Sequence, residues 1–232
     1  MRHSPEIQEV SIVVLGSFSP EPVTPYWLAY HGLISKEEAD EAVHSVNSPS
    51  VSQMDWGWGK FYIDLNRIQF RTSESPWVRA QDFIIKLITD VIPGSPSHAI
   101  GINIAAHFPL SFEDKEKLGH KLAPRETWGA WGENLHNVDP REQKNGLSSI
   151  TMRQGTNLDH KDNSYIDVNI SASNLLKPNG IRIYVNDHYS YSDNADAKAS
   201  SNATATILTD RFEISLARSG TIIDDIIDGI KS

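Results

Sequence analysis

The densest group of side chains able to bind a metal ion is Asp159-His160-Lys161-Asp162, with Asp167 in the strand expected next and Asp187-His188 one strand further on. Carboxylate oxygens suit Mg²⁺ or Mn²⁺, and imidazole nitrogens admit Zn²⁺. A metal-dependent hydrolase or nuclease using Asp159, His160, Asp167, Asp187 and His188 is one reading of this cluster. Its spacing matches no metal signature, and 157–164 is polar enough to be a solvated hairpin loop. Adjacent strand residues face opposite ways. Asp187 and His188 therefore do not make a carboxylate–imidazole pair on a regular strand, whereas Asn186 and His188 share a face.

A second group sits at strand ends. Ile100-Gly101-Ile102-Asn103 runs on to His107-Phe108, and Ile183-Tyr184-Val185-Asn186 runs on to His188-Tyr189. Each is an aliphatic strand reaching an Asn, then a His followed by an aromatic. The Asn–His spacings differ, so the echo is not a strict repeat. A small ligand or nucleic-acid fragment held by Asn103, His107, Asn186 and His188 is a further reading; hydrogen bonds to loop backbone are the plainer one.

The third group is aromatic: Met54-Asp55-Trp56-Gly57-Trp58-Gly59 and Trp128-Gly129-Ala130-Trp131-Gly132. Trp beside Gly offers a ring that stacks on a partner and a backbone that lets the partner approach. The same residues also serve to plug the rim of a core. Lys60, Arg67, Arg71 and Arg79 lie near the first pair and would make a small basic patch. No Gly-x-Ser-x-Gly, Walker loop or Gly-x-Gly-x-x-Gly occurs. The pairs Glu37-Glu38 and Asp224-Asp225 fall on solvated helix faces. No catalytic residue and no cofactor is assigned.

These groups need elements to hold them. Val10 to Gly16 reads as a buried strand. Ser35 with Glu38 has capping-box spacing and opens a helix to about Val46, followed by a Ser-rich loop from Asn47 to Gln53. Lys60 to Thr72 reads as two strands or one bulged strand. Trp77, Ile84, Leu87, Ile88 and Val91 share a face of a helix from about Pro76 to Ile92, stopped by Pro93-Gly94-Ser95-Pro96. Further strands are expected over Ile100–Phe108, Leu147–Arg153, Tyr165–Ala172 and Ile181–Tyr189, with a helix over Glu113–Leu122. Asp193 to Thr204 reads as a mobile loop. From Leu208 the apolar positions fit a helical face, although Phe212–Leu216 also alternates like a strand.

The expected architecture is α+β. Two β-sheet subdomains, each backed by an amphipathic helix, pack as one unit. Residues 1–123 form an N-terminal half, 124–146 an irregular excursion or linker, and 147–232 a β-rich half ending in a helix. A chain of 232 residues needs no covalent staples, and it has no cysteine to form one. Its net charge of −9 opposes nucleic-acid binding outside a local patch. No apolar run is long enough to span a bilayer, and the start lacks a signal-peptide core, so a soluble cytoplasmic protein is expected.

Several of these stretches resemble an uncharacterised, sporadically distributed bacterial protein family of about this length. They are Ser11-Ile12-Val13-Val14-Leu15-Gly16-Ser17-Phe18, Trp27 with Gly32-Leu33-Ile34, and Asn66-Arg67-Ile68-Gln69-Phe70. Gly101-Ile102-Asn103 with His107-Phe108, and Val185-Asn186-Asp187-His188-Tyr189, carry it furthest. The resemblance implies no reaction, substrate or cofactor, and its scattered distribution implies a mobile-element or defence-associated setting. The reading that follows is a non-catalytic interaction protein, a subunit or adaptor with a protein partner or a second copy of itself.

Overall fold

The computed structural model describes residues 1–136, 145–155, 164–190 and 197–231. The first apolar run forms β1 (Ile7–Gly16), whose Val10, Ile12 and Val14 are fully buried on one face. β6 (Ser97–Phe108) lies antiparallel beside it, with Ile12 opposite Ile102. Period-two burial then propagates outward from this central pair. On one side β5 (Arg67–Thr72) pairs with β1, followed by β4 (Gly59–Asp64), β3 (Val51–Trp56) and β2 (Val43–Ser48). On the other side β9 (Ile181–Ser190) pairs with β6, followed by β8 (Tyr165–Ala172) and β7 (Ser149–Gly155).

The α+β expectation holds, but among the described residues one antiparallel sheet of nine strands stands in place of the two sheets expected. β6 and β9, from the two expected halves, are hydrogen-bonded neighbours. The element order runs twice along the chain. A long strand, short helices, a meander that returns to the long strand, and a helix occur first from β1 and again from β6. The equivalent strands are thus β1 with β6 and β5 with β9. The Asn/His echo has another origin: it links β6 to its own partner β9.

α3 (Val78–Lys86) continues through a π turn at Leu87–Val91, where the Ile92 N–H donates to the Leu87 carbonyl. Ala80, Phe83, Ile84, Leu87 and Ile88 are buried on it. Of the expected face, Ile84, Leu87 and Ile88 are buried, whereas Trp77 and Val91, at its two ends, are half-buried. α6 (Ala197–Lys231) lies over β6 and β9 and is about 50 Å long at 1.5 Å per residue. Leu208, Phe212, Ile223, Ile227 and Ile230 are buried, which settles Phe212–Leu216 as helix. α6 begins inside the stretch expected to be a loop. Its small polar residues bring the helix close to the sheet. Ser200 Oγ accepts from the Ser97 N–H at 3.0 Å, and Thr204 Oγ1 lies 2.8 Å from Ser97 Oγ.

α1 (Pro25–Tyr30) and α2 (Lys36–Glu41) connect β1 to β2. The Ser35–Glu38 capping box is present, but the helix stops at Glu41. β-branched Val43 and Val46 then join the sheet through β2, and the supposed Ser-rich loop is the β2–β3 hairpin. α4 (Phe112–Leu122), a 3₁₀ turn (Arg125–Trp128) and α5 (Gly129–Gly132) follow β6. Among the described residues no helix is long and apolar enough to cross a membrane.

Candidate functional site

The two Trp-Gly segments separate cleanly. Trp56 ends β3 and points to the helix-covered face, where it is 1% exposed. Its ring centroid lies 5.8 Å from those of both Phe70 and Phe83. Gly59 has to be glycine there, because a Cβ would come within 2.6 Å of the Phe70 ring. Trp58 is half-buried. Its Nε1–H donates to Glu38 Oε1 at 2.7 Å, and the Arg79 guanidinium stacks on its ring at 3.9 Å. Both rings seal the core in place of forming the surface considered for them, and Arg79 is taken out of the supposed basic patch.

Trp128 and Trp131 are 54% and 63% exposed. They fall three residues apart on the 3₁₀ turn and α5, so both rings emerge on one side, with centroids 5.6 Å apart. They form the rim of a cavity of about 240 Å³ between α4 and the β7–β8–β9 end of the sheet. Leu118, Leu147, Ile170 and Ile181 supply apolar wall. Arg125, ion-paired with Glu116, and Lys115, whose ammonium pKa is lowered by burial, supply polar wall. The apolar wall residues come from α4, the chain entering β7, β8 and β9, and apolar periodicity places them only within their own elements. Nothing local in the sequence signals that they meet beneath two tryptophans.

The opposite face of the sheet is not covered by α3 or α6, and it gathers the strand-end residues. Asn103 stands directly opposite Asn186, and Gly101 opposite His188. Asn103 is 1% exposed. Its Nδ2 donates to the Ser11 carbonyl at 3.2 Å and to Ser11 Oγ at 3.3 Å, while its Oδ1 has no hydrogen-bond partner among the described residues. The Asn186 carboxamide leans over Gly101, where a Cβ would come within 2.8 Å of Asn186 Oδ1. His188 stacks on Tyr165 at 4.5 Å, and the Arg153 guanidinium lies over the Tyr165 ring at 3.6 Å. Burial, reinforced by the Arg153 charge, lowers the His188 pKa.

His107 does not join this group. Its Nδ1 lies 2.8 Å from Ser173 Oγ, which accepts the N–H groups of Leu175 and Leu176. The Ser173 proton is therefore directed at Nδ1, leaving a neutral imidazole that ties down the 173–180 loop. Burial and the Arg182 charge lower its pKa accordingly.

The Asp/His set considered for a metal is divided between the faces. Asp187 is 2% exposed on the helix side, where it accepts from Tyr189 OH at 3.1 Å and lies 3.5 Å from Arg218 Nη1. Asp167 and His188 lie on the other face, and both Asp167 oxygens are taken by Arg153 at 2.7 Å. Asp187 thus anchors α6 and is removed from any set containing Asp167 and His188. Asp159 and His160 lie outside the described residues. Among the described residues no three metal-ligating side chains converge.

Of the sequence-derived candidates, Trp128 with Trp131, and Asn103 with Asn186 and His188, are brought together by the fold. The chain matches no model of a known protein family, and a comparison with curated proteins finds no match.

Proposed function

We propose that this protein is a non-catalytic interaction protein, a subunit or adaptor of a bacterial multi-protein assembly, working in the cytoplasm. The observation that carries the reading is the exposed Trp128–Trp131 pair at the rim of a cavity with apolar walls at Leu118, Leu147, Ile170 and Ile181. Exposing two indoles leaves a large apolar area in water, and docking an apolar side chain of a partner removes it. The resemblance to a sporadically distributed family supports a mobile-element or defence-associated setting. The test is affinity enrichment from the source cells with wild type and Trp131→Ala, with self-association followed by sedimentation equilibrium. A complex present with wild type and weakened roughly 30-fold in the variant, at unchanged melting temperature, supports the reading. Equal association of both proteins sinks it.

A second reading has its own observation, the unpartnered, buried Asn103 Oδ1 beside Asn186 and the His188–Tyr165–Arg153 stack. We infer a small-ligand site on the open sheet face, reached when the Asn186 carboxamide swings off Gly101. A planar ligand that donates a hydrogen bond fits this chemistry. A thermal-shift screen of nucleosides and amides checks it. Stabilisation lost in Asn103→Ser supports the site, and a screen without hits removes it.

A further inference from the structure

The two edges of the sheet are finished differently. β2 carries a bulge between His44 and Val46, and two of its hydroxyls turn back onto β3: Ser45 Oγ donates to the Gln53 carbonyl and Ser48 Oγ to that of Val51. A bulge twists an edge away from incoming strands. β7 has no such device. Its seven residues pair with β8 in unbroken register from Ser149 opposite Ser171 to Gly155 opposite Tyr165. Its outer edge pairs with no strand among the described residues. Arg153, its sole charged side chain, is drawn back over the sheet by Asp167 and Tyr165 and so does not guard the edge. On the helix side Met152 is 67% exposed, and α6 lies chiefly over β6 and β9. The chain entering β7 (Leu147, Ser148 and Ser149) is itself part of the wall of the Trp128–Trp131 cavity.

We propose that β7 is a docking edge for an extended segment of a partner protein, which adds to the sheet as a tenth strand and places one apolar side chain in the cavity. This rests on the interaction-protein reading and names the form of its partner. An unpaired ladder of N–H and C=O groups is satisfied only by extended backbone. An uncharged, unbulged edge favours a segment with few charges, and the adjoining cavity selects an apolar residue at one of its alternate positions.

The experiment uses the full chain and a display library of random linear peptides. Selected peptides are resynthesised with single backbone N-methylations. Binding is measured to wild type and Trp131→Ala, and to Thr151→Pro and Met152→Pro. One of those two neighbouring N–H groups faces outward, so the proline variant that keeps the wild-type melting temperature tests the edge. The expected result is a loss of about tenfold on N-methylation at every second position, with little effect between, and losses in both Trp131→Ala and the stable proline variant. Binding that depends on Trp131 but ignores N-methylation and proline overturns the strand while leaving the cavity reading intact. Failure to select any Trp131-dependent peptide overturns both. A symmetric dimer abolished by the stable proline variant overturns the partner strand in favour of a second copy.

Discussion

Trp56-Gly57-Trp58-Gly59 and Trp128-Gly129-Ala130-Trp131-Gly132 have nearly the same composition, yet one is core and the other surface. The difference lies in what flanks them. Trp56 closes a strand whose alternation, Ser52, Met54, Trp56, faces the helices, and the Phe61 and Phe70 strands lie beside it. The period-two pattern carries the indole inward before any turn residue acts. Trp128 and Trp131 sit on two short helical segments of four residues each, at the rim of a cavity over the β7–β8–β9 end of the sheet, with too few residues for an apolar face that closes over both. Trp-Gly therefore says little about exposure until the period of its neighbours is known.

That contrast can be broken most forcefully at Trp56. Trp56→Ala removes the centre of an aromatic cluster and is expected to cost about 3–5 kcal/mol in urea denaturation. A loss under about 1 kcal/mol would mean that the indole is not a core element. The second half of the chain seals its helix differently, with a polar network in place of rings. Asp187, Tyr189, Ser215 and Arg218 meet where α6 crosses β9. Asp187→Ala strands the partly buried Arg218 and is expected to cost about 3 kcal/mol. If the variant melts like wild type, α6 is held by its apolar face alone.

The same division predicts an uneven response to acid. From β6 onward, the groups with depressed pKa values that titrate on the acid side are His107 and His188, lowered by burial and then by Arg182 and Arg153, and Asp224 and Asp228 of α6. At Asp224 burial raises the pKa, and the backbone N–H groups of His3 and Arg2 more than reverse it. At Asp228 the His3 ring, 2.6 Å away, lowers it. A depressed folded pKa means that the unfolded chain binds more protons. Each contribution is complete above the group's ordinary value and fades as pH falls through the folded one. Stability should decline first below the ordinary histidine value of 6.5 and again below the ordinary carboxylate value of 3.8. Amide exchange should show β9 and α6 opening before β3–β5. Simultaneous opening of both halves would remove the distinction.

Much of the strand framework was legible because each strand carries its own alternation: β1, β4, β5, β6, β8 and β9 all lie where apolar periodicity placed them. β2 and β3 were not, since Val43 to Val46 read as the end of a helix and Asn47, Ser48 and Ser52 as loop. Ser52 is buried only because its hydroxyl donates to the Val23 carbonyl 29 residues away. The start of α6 was hidden likewise, its buried Ser200 and Ser201 having the composition of a mobile loop. Single-strand patterns identified Asn103 and Asn186, but only register shows them side by side. The cavity under Trp131 was least legible, because its walls come from elements joined only by the folded topology.

The smallest expected effect is the most informative. Trp131→Ala removes a ring that is mostly in water, so its stability should stay within about 0.5 kcal/mol of wild type. Its neighbour Trp128 keeps the rest of the rim, and the apolar walls at Ile170 and Ile181 belong to paired strands that do not depend on α5. A stability loss approaching that of Trp56→Ala would make Trp131 a second core plug, and the two segments would differ in degree and not in kind. An unchanged denaturation midpoint with weakened association separates binding from folding at one indole. That outcome is available only to the exposed pair, since at Trp56 any loss of association would be inseparable from loss of the fold.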